Sequence, residues 1–334
     1  MMPKAALTYR NPVWDFDFPD PTIIRASDGF YYAYGTQTKR PGNLIVNLQV
    51  ARSADLVHWD YLGEGLPQKP LWASTTQKFW APHVSEHNGI YYLYYSAKPD
   101  TGVGLCLAVA TSATAAGPFV DVGAPLQRGT GFLEIDPMAF DDPTTGKRLL
   151  YWGSGFGPIR VRELAEDRLS FASGSQEIVL LTPAGAGDPR RYDQLLEGSW
   201  VVLRQGWYYL FYSGNNCCGP DAHYGVLVAR SRAATGPFET LAQATGNPYA
   251  MLLEGNEHWH APGHNCVVAD AAGQDWLAYH AIDPRQPTFD AIDDEQGFSR
   301  RVLLLDRLEY VDGWPRLVTG GTPSWQLQPG PVGG

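Results

Sequence analysis

One pattern recurs five times along this chain of 334 residues: a polar or glycine turn that opens onto a run of aromatic and aliphatic side chains. It reads DGFYYAYG at 28–35, NGIYYLYYS at 88–96, GKRLLYWGS at 146–154, QGWYYLFYS at 205–213 and GQDWLAYH at 273–280. With Tyr31, Tyr91, Leu149, Tyr208 and Trp276 taken as equivalent, successive units are 60, 58, 59 and 68 residues apart. A second element keeps the same phase: ARSADLVHW from Ala51, ATSATAAGPF from Ala110 and ARSRAATGPF from Ala229, separated by 59 and then 119 residues. A common period of this kind means that one supersecondary unit is repeated, each copy burying its apolar faces against its neighbours.

Each unit reads as four short antiparallel strands: a polar-tipped first strand, the aromatic second strand, a third ending near the Ala-Arg-Ser pattern, and a short fourth. Units of this length predict an all-β, five-bladed propeller with four-stranded blades around a central channel. A β-sandwich leaves the period unexplained, and a solenoid normally uses shorter repeats. Composition agrees, since 11 Trp, 18 Tyr and 13 Phe with 36 Gly and 26 Pro favour strands joined by turns. Residues 301–315 are expected to supply the outer strands of the last blade, and 1–334 reads as a single propeller domain with no linker and no C-terminal β-sandwich.

In a propeller the innermost strands line the axis, so their tips converge. Reading back from each aromatic run gives Asp20, His83, Asp136, Glu197 and His264, at offsets of 11, 8, 13, 11 and 12 residues. Three carboxyls in one funnel cannot all ionise freely, because like charges and partial burial push some pKa values upward. One protonated acid beside one ionised base is the pairing that glycosidic bond hydrolysis requires. Aromatics near these motifs, Trp14, Phe79, Trp80 and Trp200, suit stacking on sugar faces; blade packing accounts for most, leaving Trp14 and Trp80 as platform candidates.

A net charge of −10 argues against nucleic acid or anionic membranes as partners, since phosphate contacts demand clustered Lys and Arg. No apolar run reaches the length of a membrane span, and the first residues lack a secretory h-region, so a cytoplasmic protein or one with its leader removed is expected. Cys106, Cys217, Cys218 and Cys266 match no zinc spacing. Adjacent Cys217 and Cys218 are left open between a vicinal disulfide and two thiols.

Six elements in order resemble glycoside hydrolase family 43: Asp20-Pro21, Trp80-Ala81-Pro82-His83, Ile135-Asp136-Pro137, Glu197-Gly198-Ser199, Gly263-His264-Asn265 and Asp312-Gly313-Trp314-Pro315. The resemblance spans nearly the whole chain. It implies an inverting mechanism with Asp20 as general base, Glu197 as general acid and Asp136 tuning and orienting the acid. It also implies a calcium or other axial metal ion near His264, and an active-site role for Arg301, whose register neighbouring Arg300 obscures. Trp14, Trp80, His83, Ser199 and Arg301 are the candidate sugar-binding residues.

The lack of a C-terminal β-sandwich, common in xyloside-active relatives, tilts the expected substrate toward plant arabinan or arabinoxylan. The expected activity is an exo-acting α-L-arabinofuranosidase; endo-1,5-α-L-arabinanase and β-xylosidase are the nearest alternatives. A propeller lectin and a retaining enzyme of fructose-containing sugars are the more distant ones. Segments 37–47, 183–191 and 215–223 are expected to wall the site. The Cys217-Cys218 pair within the last departs from the ordinary family pattern.

Overall fold

The computed structural model describes residues 6–40, 44–184, 187–288 and 299–333. Its strands form five antiparallel four-strand blades, each built in chain order from the axis outward. Blade 1 comprises Thr22–Arg25, Tyr31–Gly35, Gln49–Ser53 and Trp59–Glu64; blade 2 comprises Phe79–His87, Ile90–Ala97, Cys106–Ser112 and Val120–Asp121, with Gln127–Arg128 also paired to its third strand. Blade 3 is Met138–Asp141, Arg148–Trp152, Ile159–Glu163 and Ile178–Leu181, and blade 4 is Leu196–Arg204, Trp207–Asn216, His223–Ser231 and Glu239–Thr240. Blade 5 is His260–Ala269, Asp275–Ile282, Arg301–Val311 and Trp314–Leu317. The five-bladed propeller expected from the period is therefore the fold, with the aromatic run as second strand in every blade. Among the described residues no helix is long and apolar enough to cross a membrane.

The aromatic runs are dense because both faces of a blade are covered. In the second strand of blade 2 every residue from Tyr91 to Ala97 is buried, whichever face it points to. Buried phenols need partners, and they find them on the adjacent blade: Tyr34 donates to the Ala115 carbonyl at 2.7 Å, Tyr94 to Arg168 at 2.9 Å, Tyr151 to Ala234 at 2.7 Å and Tyr209 to Gly313 at 3.0 Å. Each tyrosine thus serves both as apolar filling and as a cross-blade tie.

Closure uses the segment before blade 1. Thr8–Tyr9 pairs with Gln328–Pro329, Trp14 bridges Leu303, and the Phe18 amide donates to the Arg301 carbonyl at 2.8 Å. This lays residues 8–18 beside the third strand of blade 5 and delivers the chain directly to Asp20.

Candidate active site

The inner strands do not begin straight. Asp20, Ala81, Asp136, Gly198 and His264 have φ of 54°, 45°, 57°, 64° and 49°, a left-handed kink at one tip in each blade. Such a conformation costs energy for a residue with a side chain and persists only where its surroundings fix it. Here the preceding blade holds the kink. At the end of the aromatic run Thr36 Oγ1 accepts the Ala81 amide at 2.7 Å, Ser96 Oγ accepts the Asp136 amide at 2.9 Å, and Ser213 Oγ accepts the His264 amide at 2.8 Å. His280 Nδ1 closes the circle by accepting the Asp20 amide at 3.1 Å. Between blades 3 and 4 the contact is made by backbone, with Ser154 N donating to the Leu196 carbonyl at 2.7 Å. Gly198 has no side chain for good reason: beyond its positive φ, a Cβ there would lie 3.3 Å from the His264 ring.

These kinks turn three carboxyls into one space, where their environments diverge. Burial alone would raise the pKa of Asp20, but the positive guanidinium of Arg301 and contacts with His264 and His280 hold it well below the usual carboxylate range. Arg301 Nη1 donates to Asp20 Oδ1 at 3.0 Å, and Thr36 donates its hydroxyl to Oδ2 at 2.5 Å. Burial pushes Glu197 up to about 7, helped by the negative charge of Asp20 and opposed by a 2.6 Å hydrogen bond from the Tyr224 hydroxyl to Oε1. Asp136 is raised well above its ordinary value by burial and then by the charges of Glu197 and Asp20; its Oδ2 accepts the Gly198 amide at 3.0 Å. Desolvation lowers His264 and so favours its neutral form, with Nδ1 3.4 Å from Asp20 and 3.9 Å from Asp136. The site therefore holds one firmly ionised carboxylate and two carboxyls that resist ionisation.

The acids open into a cavity of about 670 Å³, which Trp80, His264 and Arg301 also line. Trp80 forms an aromatic wall with Phe132, ring centres 5.6 Å apart. Arg300 does not compete for the place of Arg301, since it turns away to Asp15. Three sugar-binding candidates lie elsewhere. Trp14 belongs to the closing latch segment, where it packs on Phe16 and Phe18, each at 5.0 Å, and it does not line the cavity. His83 sits two residues beyond the blade 2 kink; the tip position belongs to Ala81, which the short offset of 8 had hidden. Its ring lies 5.3 Å from Trp200, and burial pushes its pKa down to about 3. Ser199 follows the blade 4 kink, is buried, and does not line the cavity. Phe79 and Trp200 are likewise buried blade packing. Of the three expected walls, 37–47 and 215–223 contribute residues while the described part of 183–191 does not; residues 41–43 and 185–186 lie outside the described residues.

With this geometry in view, the family model for glycosyl hydrolases family 43 matches residues 9–315, from the closing segment into the last strand of blade 5. The chain belongs to glycosyl hydrolases family 43. It is 26% identical to an extracellular exo-α-(1→5)-L-arabinofuranosidase, ArbA, of Cellvibrio japonicus, covering 90% of this chain and 86% of that protein. It is also 26% identical to an extracellular endo-α-(1→5)-L-arabinanase of Bacillus subtilis, over 89% of this chain and 86% of that one. A thermostable family-43 glycoside hydrolase of known structure superimposes with a TM-score of 0.76 at 27% identity, covering 98% of this chain and 100% of that one. The protein is thus a glycoside hydrolase.

In this family 43 enzyme several residues that shape the site escaped the sequence reading. Tyr224 reaches Glu197 because Gly263 leaves room; a Cβ at Gly263 would overlap the tyrosine ring. Asp17, buried and pushed up to about 6 by desolvation, accepts the Arg301 amide at 3.0 Å and so fixes the start of that strand. Among the described residues the three-ligand group is Asp136, Glu197 and His264, with atoms within 4.8 Å of one another. Asp136 Oδ2 accepts from the Gly198 amide and Glu197 Oε1 from the Tyr224 hydroxyl, and calcium takes roughly six to eight oxygens, waters among them. These three residues would hold a cation only with water completing its shell, and no step below passes through one.

Proposed function

We propose that this enzyme hydrolyses α-L-arabinofuranosyl linkages of plant arabinan or arabinoxylan with inversion, removing arabinose from chain ends. The observation that carries the reading is the contrast in the acids' surroundings: Asp20 accepts from the Arg301 guanidinium at 3.0 Å, which favours its ionised form, whereas Glu197 accepts from the neutral Tyr224 hydroxyl at 2.6 Å and is pushed up to about 7 by burial. Asp20 takes a proton from water as that water attacks the anomeric carbon, and Glu197 gives its proton to the departing glycosidic oxygen. Inversion requires the two carboxyls roughly 6.5–9.5 Å apart to admit the water. Asp136 accepts the Gly198 amide beside Glu197, and burial with the neighbouring charges raises its pKa; when ionised it would raise the acid's pKa further.

A substrate of chain ends is supported by the several segments that add to the cavity lining beside the acids: Thr38 and Ile45, Lys78 and Asp100, and Cys217 with Cys218. The name of the Cellvibrio relative agrees, while that of the Bacillus relative favours attack within chains. Incubation with linear arabinan separates the two. Arabinose as the sole early product, released first as the β-anomer by proton NMR, is the expected result; early oligosaccharides would replace the exo reading with the endo one.

A further inference from the structure

Cys217 and Cys218 are joined as a vicinal disulfide, and both line the catalytic cavity together with Ser299 and Arg301. We propose that this disulfide is a sugar-contacting platform of the glycone subsite, a specificity element for the hydrolase reading given above, on which it rests. Asp20, Asp136, Glu197, His264 and Arg301 present charge or hydrogen-bonding groups to the same space, and Trp80 with Phe132 forms its aromatic wall. A sugar ring has a hydroxyl-poor C–H face as well as hydroxyls, and carboxyls and cations cannot satisfy that face. Two bonded sulfurs can, since they carry no S–H donor, are polarisable and form one small apolar facet.

The facet is held in place. Cys217 packs on the buried cluster of Tyr224, Ala261 and Ile282, and Tyr224 is the residue whose hydroxyl binds Glu197. The Cys218 carbonyl accepts the Asn216 amide side chain at 2.8 Å, and the Gly219 amide donates to Ser299 Oγ at 2.9 Å, two residues before Arg301. The disulfide is thereby tied to both the blade 4 and the blade 5 sides of the site. Two separate thiols would leave the turn freer and expose polar S–H groups to the sugar.

The test compares the wild type with the double variant Cys217→Ala, Cys218→Ala and with wild type reduced and blocked by iodoacetamide. Denatured, unreduced protein should titrate two thiols, those of Cys106 and Cys266, and four after reduction. On 4-nitrophenyl α-L-arabinofuranoside the double variant should show KM raised about tenfold with kcat changed less than about threefold, the scale of one lost apolar contact in a binding site. Its affinity for L-arabinose, read by saturation-transfer NMR without turnover, should fall in parallel. Thermal melting within a few degrees of wild type identifies a folded variant, and the blocked wild type gives the same readouts on the unaltered chain. KM and arabinose affinity within twofold of wild type in both samples, or four thiols before reduction, would overturn the platform. A wild type that binds arabinose but cleaves no aryl glycoside would sink the hydrolase reading and leave the affinity comparison to judge the platform.

Discussion

Glu197 and Asp20 differ in what their removal should do, because only one of them matters to the leaving group. Glu197→Gln is expected to lower kcat on arabinan by about 10²–10⁴-fold, the usual worth of general acid catalysis. It should spare much of the activity on 4-nitrophenyl arabinofuranoside, whose phenolate leaves without a proton. Asp20→Asn should abolish both, since no leaving group replaces the base; equal losses on the two substrates for Glu197→Gln would reject its assignment. The pH profile follows from the same pair. Activity requires Asp20 ionised and Glu197 protonated, so kcat/KM should stay high well below the ordinary carboxylate range and fall as pH rises through about 7. The Tyr224 hydroxyl donates to Glu197 and lowers its pKa. In Tyr224→Phe the alkaline limb should therefore move to higher pH, with kcat reduced; a purely structural role would leave the limb in place.

Within each blade, the end of the aromatic strand is the part that fixes the next blade's kink. Ser213→Ala removes the acceptor of the His264 amide, and Ser96→Ala that of the Asp136 amide. Leaving a buried amide unpaired costs about 1–3 kcal/mol, so urea midpoints should fall correspondingly, and Ser96→Ala should also lower kcat because Asp136 braces Gly198. Unchanged midpoints would show that water replaces the hydroxyl. These serines stood in plain view at the close of the repeated motif, as did Thr36, yet a strand pattern reports which residues are apolar and not which amide their neighbours satisfy. The period located Asp20, Asp136, Glu197 and His264 because a fixed repeat delivers equivalent tips to one axis. His83 and Ser199 were displaced by the kinks themselves: a left-handed residue changes which following side chain points to the axis, and nothing in a strand's alternation announces it. Trp14 lies outside the repeat, on the latch, where neighbouring aromatics stand for packing as readily as for a sugar platform. Tyr224 was hidden in the third strand, and its signal was the small Gly263 opposite, visible only once the two blades are side by side.

For the molecule as a whole, closure of the ring and assembly of the site are one event. Thr8–Tyr9 pairs with Gln328–Pro329, Trp14 and Phe18 pair with the third strand of blade 5, and Asp17 and Asp20 then grip the Arg301 amide and guanidinium respectively. Asn11 is the central tie: its Oδ1 accepts the Leu305 amide at 2.9 Å, while its Nδ2 donates to the Leu305 carbonyl at 3.1 Å and to Ser324 Oγ at 2.9 Å. Asn11→Ala leaves the buried Leu305 amide without its acceptor and loosens Ser324, an expected loss of about 2–4 kcal/mol. A blade cannot separate from the ring without exposing aromatic faces on two neighbours, so that loss should lower one cooperative transition rather than produce a partly open intermediate. Tryptophan fluorescence and aryl arabinofuranosidase activity should then disappear at the same urea concentration, shifted equally in the variant. Activity lost ahead of fluorescence would mean instead that the latch opens while the blades stay packed, and that the pairing of Asp20 with Arg301 is the weaker part of the closure.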